Sequence, residues 1–117
     1  MKRIKVGLKF KRKIIIIENV KKLSEFQKGI GLMFKKRENC PAMLFEFDKP
    51  TNMGIHSLFV SFKFAAVWLD DKNRIVDKKI IKPFRLLILS KKPFYKLLEI
   101  PLNNEYDKKV KTLFGKN

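Results

Sequence analysis

One histidine, one cysteine and a serine are the side chains of this sequence whose chemistry could serve an active site. His56 is followed directly by Ser57, and Cys40 lies earlier in the chain. Because imidazole titrates near neutral pH, His56 could act as an acid or a base, or line a polar pocket with Ser57. No second catalytic partner accompanies this pair, and a hydrogen-bonded histidine at the start of a strand is the simpler interpretation. The pattern favours a non-enzymatic protein over an enzyme.

Cys40 could be a reactive thiol or a metal ligand. The neighbouring cations Lys35, Lys36 and Arg37 could lower a thiol pKa and so activate it. A structural zinc site needs about four ligands, and Cys40 with His56 would require carboxylates to complete that set. A plain thiol in an exposed loop is the simpler interpretation. The sequence therefore predicts neither a metal site nor a cofactor.

The net charge is the most unusual property of the chain. In 117 residues, 28 Lys and Arg face 11 Asp and Glu, which gives a formal charge of +17. Such a field attracts polyanions, whether nucleic acid, acidic protein or anionic lipid. A lysine coat on a protein from a heat-adapted source is the alternative explanation. With 45% hydrophobic residues, the chain is expected to fold as a single domain over residues 1–117.

The cysteine and the N-terminal residues indicate the cellular compartment of the protein. A single cysteine cannot form an intrachain disulfide, and nothing indicates an oxidising environment. The first residues are basic and lack the apolar core of a secretory signal. No apolar run approaches the length of about 20 residues that a membrane-spanning helix needs. We expect a cytoplasmic protein.

Basic and aromatic residues alternate in four segments, residues 10–13, 34–37, 62–64 and 91–96. A β-sheet that exposes aromatic rings among cations can hold single-stranded RNA without reading its sequence. This interpretation requires several of the rings to be exposed together. The candidate polyanion-binding residues are Lys35, Lys36, Arg37, Lys91, Lys92 and Lys96.

The longest apolar run, residues 55–70, is expected to lie at the centre of the fold. Its Phe and Val residues favour one or two buried strands, although a helix over residues 64–69 is an alternative. Turn-forming residues at 70–74 then lead into a second strand at 75–81, which predicts a hairpin.

Short strands account for most of the remaining chain. Residues 3–13 alternate between polar and apolar, and the apolar residues 14–17 either continue that strand or follow a tight turn at Lys11 and Arg12. Further strands are expected at 43–47, 85–89 and 94–100, and a capping box at Ser24 predicts a short helix from about Glu25. Residues 103–117 form a polar tail with at most one short helix. Seven or eight strands predict a mainly β, single-domain sandwich or partly closed barrel with one or two short helices.

Five short motifs across residues 27–102 resemble a known family. In chain order they read GLMF at 31–34, AMLFEF at 42–47, IHS at 55–57 with WLD at 68–70, RIV at 74–76, and LLEIP at 97–101. Their order and spacing resemble the uncharacterised domain of unknown function 192. The resemblance implies a compact, jelly-roll-like β domain with no established activity. At two places the chain departs from the common family pattern, with His56 and Ser57 at one and residues 63–65 at the other.

The family motifs converge on a speculative ligand pocket. Our preferred hypothesis from the sequence places an unidentified ligand or partner in a cleft near the turn at residues 31–34 and His56. The residues assigned to this pocket are Gly31, Met33, Phe34, His56 and Ser57. The alternative hypothesis is a basic module that binds single-stranded RNA or another polyanion. Oligomeric state and ligand identity do not follow from the sequence.

Overall fold

The computed structural model describes residues 3–23, 31–32 and 35–115, and six strands within them form one sheet. The sheet order is β1-β2-β3-β6-β4-β5. Among these strands, β2 and β3 are the one parallel pair, joined at residues 20–22 and 42–44. The strands are β1 (Arg3–Phe10), β2 (Lys13–Lys22), β3 (Ala42–Thr51), β4 (Phe64–Leu69), β5 (Ile75–Ile81) and β6 (Phe94–Pro101).

Strands β1 and β2 form a hairpin through a two-residue turn. Lys11 and Arg12 have φ values of 49° and 65°, the left-handed conformation that tight hairpin turns require. Of the two alternatives for residues 3–17, two strands with a tight turn is therefore correct. The hairpin also reaches the far end of the sheet, because the Lys9 N–H donates to the Asn73 carbonyl (2.9 Å) and Lys9 forms a parallel bridge with Arg74. This contact between β1 and the start of β5 curls the sheet into a half-barrel.

Strand β4 is buried on both faces, which explains the unbroken apolar sequence of this part of the chain. All six of its residues are buried. Ala65, Val67 and Leu69 enter the hydrophobic cluster on one side of the sheet, and the alternate residues enter the cluster on the other side. The helical alternative for residues 64–69 is wrong, because β5 and β6 pair with this segment along its length. The predicted hairpin between β4 and β5 is confirmed.

Different parts of the chain cover the two faces of the sheet. The hairpin of β1 and β2 contributes to the first cluster, together with helix α1 (Asp107–Phe114) and the residue before it. Tyr106, Val110 and Leu113 are buried there. Val60, Phe62 and Ile88, from irregular segments, cover the second face. The C-terminal segment thus contains the one short helix expected for it, and that helix packs on the core.

The chain has fewer strands than predicted in the residues that the structure describes. Residues 55–63 are irregular apart from one bridge between Ile55 and Ile88, and residues 85–89 form an exposed loop instead of a strand. Beside this bridge, the Ser57 hydroxyl donates to the Lys82 carbonyl and accepts from the Arg85 N–H. The described residues therefore contain six strands instead of the seven or eight predicted. The helix expected from Glu25 lies outside the described residues.

The fold class is mainly β with one α-helix and a 3₁₀ turn at Arg37–Asn39, as predicted. The single curled sheet corresponds to the partly closed barrel of the two architectures that we considered. Within the part of the chain that the structure describes, no helix is long and apolar enough to cross a membrane.

Candidate functional site

His56 and Ser57 lie next to each other but have different environments. The His56 side chain is exposed, and its Nδ1 accepts a hydrogen bond from the Leu58 N–H (3.3 Å). Ser57 is fully buried. Its hydroxyl donates to the Lys82 carbonyl (2.7 Å) and accepts from the Arg85 N–H (2.8 Å). The Ser57 hydroxyl therefore uses both its donor and its acceptor to join two loops, and its role here is structural.

Gly31 lies against a buried carboxylic acid. A Cβ placed on Gly31 would be 3.4 Å from Oε1 of Glu99 and 3.1 Å from the ring of Phe45. Glu99 is 6% exposed. Burial raises the pKa of Glu99 to about 8, so the acid is largely protonated at neutral pH. Met33 and Phe34, which we expected beside Gly31, lie outside the described residues.

Cys40 is buried in the cluster that also contains Met43 and Phe45. The expectation of an exposed loop thiol is wrong, because the chain enters β3 directly after Pro41 and carries Cys40 into the core. Burial raises the pKa of the Cys40 thiol to about 11, against the opposing effect of the Lys35 charge. A thiol held in its protonated form is a poor nucleophile. Among the described residues, no three His, Cys, Asp or Glu side chains lie close enough to hold a metal ion.

The tip of the first hairpin and the start of β5 enclose a groove of about 730 Å³, here called the hairpin groove. Six of its nine lining residues are cationic and none is acidic. The ammonium groups of Lys11 and Lys78 lie 5.2 and 5.4 Å from the centre of the Phe10 ring, which forms part of the floor. The lining residues are Lys9, Phe10, Lys11, Arg12, Lys13, Ile14, Arg74, Ile75 and Lys78.

A second basic groove, of about 660 Å³, contains part of the predicted polyanion-binding set. Lys35, Lys36 and Arg37 line it together with Lys63. Glu38 also lines this groove and pairs with Arg37 at 3.5 Å, so its field is partly neutralised.

The other three predicted polyanion-binding residues lie in neither groove. Lys91 and Lys92 are exposed beyond β5. Lys96 is partly buried, and its ammonium donates to Oδ1 of Asn73 (2.7 Å) and pairs with Glu46 at 3.8 Å. The structure thus divides the six predicted cations among separate places, and one of them already serves an internal contact.

The predicted aromatic platform is not present in the described residues. Phe62, Phe64 and Phe94 are buried, while Phe10 is half-buried beneath two ammonium groups. Strand alternation turns these rings into the core when it turns the lysines outward. The expectation that several rings stack with bases on one surface is therefore wrong, and contact through phosphate groups remains.

A comparison with known families decides the relationship that the motifs suggested. Residues 10–111 match the model of the family domain of unknown function 192, described as an uncharacterized ACR. The chain belongs to this family. The match includes most of the first hairpin and of α1, so domain of unknown function 192 extends beyond the five motifs at residues 27–102 on both sides.

Two similar proteins come from archaea of the genus Pyrococcus. The UPF0127 protein PH1112 of Pyrococcus horikoshii is 31% identical over 65 residues, which is 56% of each chain. The UPF0127 protein PF1050 of Pyrococcus furiosus is 26% identical over 72 residues, or 62% of this chain and 61% of that protein. The aligned parts thus span less than two thirds of these relatives. Pyrococcus is a heat-loving genus, but heat adaptation of the present chain stays a prediction.

Two crystal structures share the fold. A protein of unknown function from Novosphingobium aromaticivorans has a TM-score of 0.70 at 13% identity, with 91% of this chain and 77% of that chain covered. A candidate transcription regulator from Sinorhizobium meliloti has a TM-score of 0.69 at 16% identity, with 92% and 84% covered. At these identities the similarity is one of fold.

Two candidate features were missed at the level of sequence. The first is the buried Glu99. It is the one acidic residue in the apolar strand β6, and this isolated acid was the sequence feature that could have indicated a buried carboxyl group. The hairpin groove joins residues far apart in sequence, because Lys9 and Lys78 meet only through the curl of the sheet. The sequence showed one part of this groove, the basic segment at residues 10–13.

Proposed function

We propose that this protein is a non-enzymatic module that binds a polyanion, such as single-stranded RNA, through phosphate groups in the hairpin groove. The observation that carries the proposal is a wall of six cationic side chains without an acidic one. Cations gathered in a concave surface raise the local potential more than the same charges spread over a convex one. The lone Cys40 and the absence of a disulfide support a cytoplasmic setting.

The geometry supports binding without sequence recognition. Four of the six groove cations lie on the first hairpin and its turn, and the other two, Arg74 and Lys78, lie directly before β5 and within it. They follow a path along which a phosphate backbone could run. Most are lysines, which act as point charges and lack the planar fork with which arginine reads a base. Arg74 pairs with Asp70 at 2.7 Å, which fixes its position and lowers its contribution to the field. Binding of this kind weakens steeply with added salt.

Fluorescence anisotropy with a labelled oligouridine, over a range of salt concentrations, tests this proposal. The groove variant is Lys11→Asn/Arg12→Asn/Lys13→Gln, in which asparagine suits the left-handed turn positions. The matched variant Lys49→Gln/Lys108→Gln/Lys111→Gln removes three exposed charges outside both basic grooves. We expect the groove variant to bind oligouridine about tenfold or more weakly, and its slope of log K against log salt to fall in magnitude by about 2. The affinity and the slope of the matched variant should change little.

Equal weakening by the two variants would show that net charge alone attracts the oligonucleotide, and would overturn the assignment of the groove. Absence of binding at low salt by the unchanged protein would overturn the proposed function itself.

A second candidate function is ligand binding near Gly31 and His56, neither of which lines the two basic grooves. It is supported by two buried polar groups on one face of the sheet, the Glu99 carboxyl beside Gly31 and the indole N–H of Trp68, which has no hydrogen-bond partner among the described residues. Trp68 pairs with Leu97 and Ala66 pairs with Glu99, so the two groups are diagonal neighbours across β4 and β6. A polar ligand that reaches this face could form hydrogen bonds with both the Glu99 carboxyl and the Trp68 indole N–H.

A thermal-shift screen of small polar molecules tests the cleft. A true ligand should raise the unfolding temperature of the unchanged protein but lose that effect in Glu99→Gln and in His56→Ala. His56 is exposed, so His56→Ala should leave the unfolding temperature without ligand unchanged. A stabilising molecule that is insensitive to both substitutions would place its site elsewhere.

A further inference from the structure

The loop at residues 84–89, here called the apolar loop, exposes more hydrophobic surface than any comparable stretch that the structure describes. Phe84, Leu86, Leu87 and Leu89 are 67%, 77%, 66% and 49% exposed, whereas Ile88 points inward. Scattered exposed leucines are ordinary on a protein surface, but four large apolar side chains within six residues are not. This concentration marks the loop as an interaction surface.

The apolar loop is held firmly against residues 55–57. Ile55 and Ile88 exchange two backbone hydrogen bonds (3.0 and 2.8 Å), and the Ser57 N–H donates to the Arg85 carbonyl (2.9 Å). The Ser57 hydroxyl adds its bonds to Lys82 and Arg85. The Phe84 N–H adds a sixth hydrogen bond, to the Ser57 carbonyl. These six bonds fix the backbone, so binding does not have to order the loop backbone.

Phe84 is held in an unfavourable conformation that keeps its ring outside. Its φ is 64°, and its N–H donates to the Ser57 carbonyl (2.7 Å). Left-handed backbone is rare for a bulky residue, and such strain persists where the surroundings impose it. The strain brings no burial, because two thirds of the Phe84 surface remains in water. A residue that is both strained and exposed points to a role in contact with another molecule.

Cations surround the apolar loop. Lys79, Lys82 and Arg85 line a shallow groove of about 470 Å³ with Leu87 and Leu89. The ammonium group of Lys79 donates to the Leu89 carbonyl. Lys91 and Lys92 follow the loop directly and are exposed. No acidic side chain lines this groove, so an apolar centre is combined with a positive rim.

We propose that the apolar loop inserts into the interface of a bilayer that contains anionic phospholipid. Phe and Leu side chains would enter the boundary of the acyl chains, and the cationic rim would meet the lipid phosphates, which is the combination used by proteins that lie on membranes. A second copy of the chain is a poor occupant, because a net charge of +17 on each molecule opposes contact between two cationic rims. RNA is a poor one because three of the four exposed side chains are leucines, which cannot stack with bases.

Vesicle co-sedimentation measures the binding directly. We expect the unchanged protein to bind vesicles of phosphatidylcholine with about 30% phosphatidylserine, and to bind pure phosphatidylcholine about tenfold or more weakly. The double variant Phe84→Asn/Leu86→Ser should weaken binding to the anionic vesicles by about tenfold or more, since each side chain contributes its apolar transfer. Ile16→Ser is the matched control, because it removes an apolar side chain of 38% exposure on β2 and should leave binding unchanged.

Insertion itself is read from the variant Phe84→Trp. Its added tryptophan should shift its emission to the blue on anionic vesicles and be quenched by brominated acyl chains, whereas the buried Trp68 should be insensitive to them. An unquenched tryptophan at position 84, or a double variant that binds as well as the unchanged protein, would overturn insertion. Dimerisation without vesicles that the double variant abolishes would assign the loop to a second copy.

The membrane proposal and the polyanion proposal fail separately. The Lys11→Asn/Arg12→Asn/Lys13→Gln variant should still insert its apolar loop and still produce the blue shift when combined with Phe84→Trp. The Phe84→Asn/Leu86→Ser variant should still bind oligouridine. A groove variant without any blue shift would mean that the hairpin, and not the loop, contacts the lipid.

Discussion

The hydroxyl of Tyr106 donates a 2.8 Å hydrogen bond to the carbonyl oxygen of Asn19. The same hydroxyl accepts a hydrogen bond of 2.9 Å from the Ala42 N–H. Asn19 belongs to β2 and Ala42 begins β3, so one buried side chain spans the parallel junction between them. That junction has three residue pairs, which makes Tyr106 a substantial part of what connects the first hairpin to the rest of the sheet.

Replacing Tyr106 with phenylalanine should destabilise the protein by about 1–3 kcal/mol, because it leaves a buried N–H and a carbonyl without their partner. Urea denaturation, followed through the fluorescence of buried Trp68, measures the loss. Tyr95→Phe is the matched control, since the half-buried Tyr95 makes no hydrogen bond through its hydroxyl within the described residues. Equal stability of the two variants would contradict the bridging role of Tyr106.

Ser57→Ala should release the loop that follows Pro83. The substitution removes hydrogen bonds to Lys82 and Arg85, and we expect a loss of about 1–3 kcal/mol with faster amide exchange at Phe84 and Arg85. Hydrogen exchange followed by NMR resolves these two amides. The exposed Ser61 provides the control, and Ser61→Ala should change neither stability nor exchange. Unchanged protection of Arg85 in Ser57→Ala would rule out this structural role of Ser57.

Glu99 should make stability fall as pH rises. Burial raises its pKa from 4.5 to about 8 in the folded protein, so the folded state keeps a proton that the unfolded state releases between these values. The stabilisation is complete below about pH 4.5 and is lost as the pH rises through about 8. In the unchanged protein the free energy of unfolding should fall by a few kcal/mol between about pH 5 and about pH 8.5, and Glu99→Gln should remove this fall. Denaturation at several pH values measures it.

The control for this prediction is Glu18→Gln, which changes an exposed carboxylate paired with Lys5. It should leave the pH dependence as it is in the unchanged protein. Cys40 does not confuse the result, because its thiol, with a pKa of about 11, stays protonated over the whole range. If the stability of Glu99→Gln still fell with rising pH, the pH dependence would come from other groups.

Gly31→Ala should be more damaging than Gly115→Ala, although both glycines have positive φ. The values are 50° and 85°, so alanine is strained at both positions. At Gly31 the added Cβ would also press on the ring of Phe45 at 3.1 Å, whereas at Gly115 it would meet nothing within 4 Å. We expect about 1–3 kcal/mol of additional loss at Gly31, measured by thermal unfolding. Similar losses would mean that the Phe45 ring moves aside freely.

The parts of the fold that the sequence predicted are those in which local chemistry decides the structure. The aspartate-rich turn before β5 and the apolar residues of β4 each carry their signal within a few positions. The tight turn at Lys11 and Arg12 was one of two alternatives, because neither residue favours the left-handed conformation found there. In the Asp70 turn, the carboxylate accepts from the N–H groups of Lys72 and Arg74 (both 2.9 Å), as its composition suggested. Family membership was predicted from such short motifs and is confirmed.

The failures concern positions where distant contacts override the local pattern. Residues 85–89 have the composition of a strand, but among the described residues they form one bridge, between Ile88 and Ile55, and Leu86 and Leu87 are exposed. Cys40 has loop-like neighbours in sequence, yet the start of β3 buries it. Both outcomes depend on tertiary packing that no window of sequence contains.

The candidate sites were less predictable than the fold. The hairpin groove needs the curl of the sheet to bring Lys9 beside Arg74 and Lys78, and the burial of Glu99 needs strands on both sides of β6. Charge and residue type were visible in the sequence, but proximity was not. Ligand binding at Gly31, His56 and Ser57, and polyanion binding at Lys35, Lys36 and Arg37, stay predictions.

The bridge between Lys9 and Arg74 has a consequence for how the protein behaves at high concentration. Strands at the margins of an open sheet offer unpaired amide groups, which can template the addition of strands from other molecules. Here the two marginal strands touch, so part of each is shielded, and lysines along β1 repel an approaching copy. Fibril formation by edge-to-edge growth should therefore require this seam to open first.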